Sequence, residues 1–210
     1  MSEAHYLPKE ERLNVLTHGV GIILGLIGLI FLALKANGFI EILSATIFGI
    51  SLILLYTAST LYHVSKDPQL RSKLRIFDHA AIYILIAGTY TPVCLITLGQ
   101  NIGHMLLVII WGIGICGVIL KLFFTGKYDR LSTIMYIAMG WTAIFAIKPL
   151  LNTMSTEGLT WLLIGGIFYT MGAVLYSIRS LPFNHAIFHL FVLGGSASHF
   201  IMIYEYILDC

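Results

Sequence analysis

Seven long stretches of this chain contain no Asp, Glu, Lys or Arg, and they constrain the fold more than any other feature of the sequence. The stretches are 17 to 21 residues long, although the whole chain carries 12 basic and 10 acidic side chains. A helix needs about 20 apolar residues to cross about 30 Å of hydrocarbon at about 1.5 Å per residue. We therefore predict an all-α integral membrane protein, a bundle of seven transmembrane helices.

The predicted spans leave little room for anything else. They cover approximately 15–34, 42–62, 77–98, 102–121, 131–148, 159–178 and 185–205, after a short polar leader of residues 1–14. No linker can hold a second domain, so residues 1–210 are predicted to form a single membrane domain. Only 10% of the residues are charged, against about 25% in soluble domains, which argues against a soluble enzyme. The first span is longer than the core of a signal peptide, about 7–15 residues, and is expected to remain as an anchor.

The basic residues are distributed unequally between the two sides of the predicted bundle. The side opposite the N-terminus has only Lys35 and Lys148. The N-terminal side has ten, namely Lys9, Arg12, Lys66, Arg71, Lys73, Arg75, Lys121, Lys127, Arg130 and Arg179. Cytoplasmic loops carry the excess of Lys and Arg, so the N-terminus is predicted to be cytoplasmic and the C-terminus outside. The basic residues do not cluster with aromatic ones, and no nucleic-acid partner is expected.

Polar side chains at the ends of the spans are the candidates for chemistry, because ionisable groups at membrane depth are costly and usually functional. His63 ends the second span, and Ser59 lies four residues earlier on the same helical face. Asp78 opens the third span. His185 and His189 open the seventh, and their i, i+4 spacing stacks two imidazoles on one face. Three stretches of the chain therefore bring potential ligands to the predicted cytoplasmic side.

Three imidazoles and a carboxylate are suited to zinc, and we predict one zinc ion held by His63, His185 and His189. Neutral His nitrogens bind Zn²⁺ at about 2.0–2.1 Å, and three protein ligands leave a fourth position for water, as in catalytic sites. Zinc lowers the pKa of that water toward about 7. Asp78 is predicted to hold the water and act as a general base, and Ser59 to orient the water or stabilise an oxyanion.

Simpler interpretations of the same residues stay open. His185 and His189 are also compatible with a hydrogen-bonded core pair, and His63 and Asp78 with an ion pair between helices. The presence of all four on one side counts against both of these simpler interpretations.

Two further histidines have less defined roles. His18, at the cytoplasmic end of the first span, is expected to support the site or the structure. His199 lies ten residues beyond His189, about 15 Å farther along the helix, which is too deep for the same metal.

Five segments of the chain combine residue types and spacings that are distinctive. They are Glu11–Gly19 (ERLNVLTHG), Ser59–His63 (STLYH), Phe77–Pro92 (FDHAAIYILIAGTYTP), Ala138–Trp141 (AMGW) and Asn184–Phe200 (NHAIFHLFVLGGSASHF). Together they resemble the bacterial hemolysin III family. That family belongs with the progestin and adiponectin receptors, and more remotely with the alkaline ceramidases, in a superfamily of seven-helix proteins regarded as metal-dependent hydrolases.

The resemblance implies the same ligand set. Adiponectin receptors bind zinc through one His of the second helix and an HxxxH pair of the seventh, with an Asp of the third helix near the water on the metal. Those roles fall on His63, His185, His189 and Asp78, and Ser59 matches the Ser of the SxxxH motif.

The function expected from these observations is a metal-dependent hydrolase of a lipid amide or ester at the cytoplasmic leaflet, contributing to membrane lipid homeostasis. The alternatives are a non-catalytic, zinc-stabilised homeostasis or sensor protein, the cytolysin that the family's name implies, and, less favoured, an ion transporter. The expected location is the bacterial inner (plasma) membrane as a multi-pass protein. Membrane lipids are the expected partners, with no obligatory protein partner.

Overall fold

Helices make up nearly all of the computed structural model, which describes residues 7–208 apart from Arg179. In chain order they are α1 Pro8–Lys35, α2 Phe39–Val64, α3 Pro68–Pro92, α4 His104–Phe124, α5 Asp129–Gly140, α6 Ile147–Thr153, α7 Thr156–Ser177 and α8 Asn184–Tyr206. Within the described residues, seven helical segments are long and apolar enough to cross a membrane, and the fifth of them is built from α5, α6 and the segment between them. This confirms the predicted all-helical fold with seven spans. Of the predicted features, residues 1–6 of the leader and Arg179 lie outside the described residues.

Two helices begin well before the charge-free stretches do. Helix α1 starts at Pro8, in the predicted polar leader, with proline in the first turn, where its missing N–H costs nothing. Helix α3 starts at Pro68, and the Asp67 side chain caps it by accepting a hydrogen bond from the Leu70 N–H at 2.7 Å. Charged residues therefore continue these helices beyond the apolar part of each span. Asp78 consequently lies inside α3 and not at its start.

The third and fifth spans are not continuous α-helices. Beyond Pro92, a π-helical turn, Val93–Thr97, ends the third span, and a kinked turn at Gly99–Gly103, where Gln100 and Asn101 are not helical, leads into α4. A 3-10 segment, Trp141–Ala146, separates α5 from α6, within the stretch predicted as one span at 131–148. The Tyr90 hydroxyl holds this break against α3, since it donates to the Gly140 carbonyl at 2.6 Å and accepts from the Ala143 N–H at 2.7 Å.

Helix α8 lies between α1 and α7, and α1 also packs along α2. Small residues allow the α7–α8 contact to be close: Gly195 of α8 meets the ring of Tyr169 on α7, and Gly165 of α7 meets the ring of His199 on α8. This packing places the start of α8, with its two histidines, beside the first turns of α1 and the end of α2.

Candidate metal centre

Three buried histidines meet where α2 ends and α8 begins. His63 is the penultimate residue of α2, and His185 and His189 lie on the first two turns of α8. Nε2 of His63 lies 3.2 Å from Nε2 of His185. One ligand atom of each ring lies within 4.8 Å of the others. The structure thus brings together the three residues that the sequence nominated as ligands.

The spacing and chemistry of this triad fit a metal ion. Two nitrogens bound to one tetrahedral zinc at about 2.0–2.1 Å are about 3.3 Å apart, close to the separation of the two Nε2 atoms. Among the described side chains of residues 7–208, which do not include those of Asp129 and Arg179, no other set of three or more His, Cys, Asp or Glu has ligand atoms so close. Imidazole donors suit zinc, copper, iron and nickel. The triad can therefore hold one such ion.

Helix α1 supplies polar contacts to all three histidines. Glu11 Oε2 lies 2.7 Å from Nδ1 of His63, and the other Glu11 oxygen pairs with Arg71. Thr17 Oγ1 lies 3.2 Å from Nδ1 of His189.

Three more α1 contacts belong to this set. The side-chain amide nitrogen of Asn14 lies 3.4 Å from Nδ1 of His63. Glu10 Oε1 accepts a hydrogen bond from the backbone N–H of His185 at 3.2 Å. The ring of His18 stacks on that of His189, with centroids 3.5 Å apart and planes 4° apart. His18 therefore lies directly behind one of the three candidate ligands.

A cavity of about 490 Å³ extends from the histidines into the bundle. His185, His189 and Asp78 line it, and most of its other wall is apolar. Several wall residues are also exposed on the outer surface of the 3-10 segment, α6 and α7, so the cavity reaches the apolar surface there. These residues are Ile144, Leu151 and Leu163.

The remaining predicted site residues surround the triad at different distances. Asp78 is buried and shares the cavity wall, but its carboxylate is not part of the group of ligand atoms within 4.8 Å. Ser59 lies one turn before His63, fully buried, and its hydroxyl has no hydrogen-bond partner among the residues described. It does not line the cavity. His199 lines the cavity, and its Nε2 donates to the Leu162 carbonyl at 3.3 Å.

Sequence reasoning missed the contribution of Glu10, Glu11, Asn14 and Thr17. The polar leader is predicted to end at residue 14 and Thr17 to belong to the apolar span, so none of these four residues receives a role. A signal was available: polar residues recur at positions 10, 11, 14, 17 and 18, the i, i+3, i+4, i+7 spacing of one helical face. Buried polar residues on such a face must find partners.

Comparisons with known proteins agree with the family resemblance noted in the sequence. A family model described as haemolysin-III related matches residues 6–200. The chain is 47% identical to hemolysin-3 of Bacillus cereus over 95% of this chain and 93% of that protein. It is 45% identical to a hemolysin-3 homolog of Bacillus subtilis over 94% of each chain. The human monocyte to macrophage differentiation factor is 32% identical over 94% of this chain and 84% of that protein.

Proposed function

The chain belongs to the haemolysin-III related family, and on that premise we propose that it is a zinc-dependent hydrolase of a lipid amide or ester bond. The observation that carries the proposal is a triad of buried imidazoles opening on an apolar cavity that also holds a carboxylate. Catalytic zinc sites typically combine three protein ligands with an open position. The triad here has three ligands, and the cavity offers space beside two of them.

The shape of the cavity supports a lipid as the substrate. Its apolar wall suits an acyl chain, and its opening toward the outer apolar surface suits a molecule that arrives from the bilayer. The sequence assigns ten of the twelve basic residues to the N-terminal side of the bundle, the side predicted for the triad, which favours a site at the cytoplasmic leaflet. We propose that the protein acts there, in a bacterial inner membrane, and contributes to lipid homeostasis.

Each polar residue has a role in this reaction. His63, His185 and His189 would hold the ion, which supplies a Lewis acid and water that ionises near neutral pH. Asp78 takes a proton from the attacking water as the water oxygen adds to the substrate carbonyl carbon. The C–N or C–O bond then breaks, and the leaving amine or alcohol receives that proton. Ser59 does not line the cavity, so the role proposed for its hydroxyl is to orient the water beside His63 and not to contact the substrate.

The test separates metal binding from turnover. Purified protein would be analysed for metal and incubated with ceramide, an N-acyl amide and a phospholipid, and released fatty acid would be measured by mass spectrometry. We expect Asp78→Asn to retain the metal and to lose about 10²- to 10⁴-fold in turnover, the usual contribution of a general base. The matched control is Glu157→Gln, in the first turn of α7. It lies about 28 Å along that helix from Tyr176, whose ring contacts His185.

Two results would contradict the enzyme proposal. One is wild-type protein that carries zinc yet releases no fatty acid from any of the three substrates. The other is an unchanged cellular lipid profile in Asp78→Asn. If His189→Ala instead lowers thermal stability with no lipid product from the wild type, a zinc-stabilised, non-catalytic membrane protein would be favoured. Lysis of erythrocytes by secreted monomer would favour a cytolysin.

A further inference from the structure

A row of polar side chains on α1 faces the histidine triad although none of them is a member of it. Glu10, Asn14 and His18 are buried, and Glu11 and Thr17 are partly buried. Burying polar groups in a membrane bundle is costly unless they form hydrogen bonds. The partners of this row are therefore informative, and they include all three histidines.

The contact with His63 fixes which ring nitrogen faces the site. A carboxylate can only accept hydrogen bonds, so Glu11 at 2.7 Å requires the proton of a neutral His63 to be on Nδ1. The Asn14 amide nitrogen, itself a donor, lies 3.4 Å from the same Nδ1, and the shorter contact with the charged carboxylate decides the tautomer. The lone pair then lies on Nε2, which is the atom that faces His185. Arg71 pairs with the second oxygen of Glu11 and holds the carboxylate in place.

The contact with His189 has the same consequence by a different route. The Thr17 hydroxyl lies 2.8 Å from the Leu13 carbonyl and 3.1 Å from the Asn14 carbonyl, so its single proton is donated to its own helix. Its oxygen is left to accept from Nδ1–H of His189 at 3.2 Å. Nε2 of His189 is again left free for a metal, and the stacked ring of His18 fixes the plane of the imidazole.

The third histidine is held through its backbone. Glu10 accepts from the N–H of His185 at the start of α8, where a carboxylate also interacts favourably with the positive end of the helix. One helix that donates no ligand of the triad thus orients two rings and anchors the backbone of the third.

We propose that Glu11 and Thr17 are positioning residues that fix His63 and His189 in the Nδ1–H tautomer and so preset two Nε2 atoms for the metal. This inference rests on the metal site of the proposed function, but it does not depend on catalysis. Partners of this kind, on the second nitrogen of a ligating His, typically contribute about 10- to 100-fold to metal affinity.

The test measures zinc affinity without any substrate. Wild type, Thr17→Val and Glu11→Gln would be stripped of metal in detergent and titrated with zinc against a competing chelator. We expect each variant to bind zinc about 10- to 100-fold more weakly. Thr17→Ser, which keeps the hydroxyl, should restore most of the affinity. With cobalt in place of zinc, the visible d–d spectrum should change in Thr17→Val and match the wild type in Thr17→Ser.

Matched controls separate positioning from general destabilisation. The Thr160 hydroxyl bonds to the carbonyl four residues earlier at 2.7 Å, as Thr17 does, but it lies on α7. Thr160→Val should leave zinc affinity unchanged. The metal-free Thr17→Val protein should have the same melting temperature as the metal-free wild type.

The outcomes distinguish this inference from the proposed function. Wild-type affinity in both Thr17→Val and Glu11→Gln would overturn the positioning role and leave the metal site standing. Weak binding explained fully by a lower melting temperature of the metal-free variants would also overturn it. A wild type that binds no zinc would instead overturn the metal site itself.

Discussion

The close contact between α7 and α8 makes a quantitative prediction at Gly195. A methyl group added there would lie 2.8 Å from Cε2 of the Tyr169 ring and 2.9 Å from Cδ2 and Cζ. Carbon atoms in contact normally lie about 3.5–4.0 Å apart, so the ring would have to retreat by about 0.7 Å or more. The Tyr169 hydroxyl is bonded to Ser196 at 2.9 Å, and the retreat would strain that bond as well.

These changes set the expected size of the effect of Gly195→Ala. Overpacking costs about 1–3 kcal/mol, and loss of the hydrogen bond about 0.5–1.5 kcal/mol. Alanine regains up to about 1 kcal/mol of helix propensity. We expect a net loss of about 1–3 kcal/mol in the free energy of unfolding. In a chain of this size that lowers the melting temperature by about 2–12 °C.

The assay is thermal unfolding of purified protein in detergent, with Gly112→Ala as the matched control. Gly112 lies on the exposed face of α4, and an added methyl group there would have no neighbour within 4 Å. Gly112→Ala should therefore melt at or slightly above the wild-type temperature. If Gly195→Ala is as stable as Gly112→Ala, the two helices are not packed as closely as described, and the reasoning fails.

Two more predictions concern the metal and the orientation. His63→Ala should abolish stoichiometric zinc binding measured by mass spectrometry, while His199→Ala, about 15 Å along α8 from His189, should retain it; retention by both would exclude His63 as a ligand. In a cysteine-free background, Asn37→Cys should react with a membrane-impermeant maleimide in intact cells and Lys127→Cys only after permeabilisation. The reverse pattern would contradict the cytoplasmic N-terminus.

The seven spans were predictable because exclusion of charge from hydrocarbon is a strong and local signal. The ligand triad was predictable for a related reason, since His63 and His185 lie where spans meet their polar flanks, and the i, i+4 spacing of His189 needs only helical geometry. The bundle then brought α2 and α8 together. No residue pattern in the sequence predicts that α2 and α8 lie together. Only the resemblance to a known family indicated this proximity.

The break in the fifth span and the role of α1 were not predictable by the same criteria. Trp141–Ala146 contains no charge and no proline, and the hydroxyl of Tyr90, distant in sequence, holds its irregular backbone. Such a tertiary contact overrides local helix preference. The first turns of α1 were missed because a charged residue marks the edge of the membrane core, not the end of a helix.

The way α1 holds the triad bears on whether a metal bound there would be structural or reactive. Structural zinc typically joins segments that do not fold without it. Here α1 packs along both α2 and α8, and it bonds to the ring of His63 and to the backbone of His185. Protein contacts therefore connect the ligand-bearing helices independently of a metal. Candidate ligands held in advance on rigid helices, beside a cavity, are what catalysis requires, and this favours a reactive role for a metal bound there over a role in holding the bundle together.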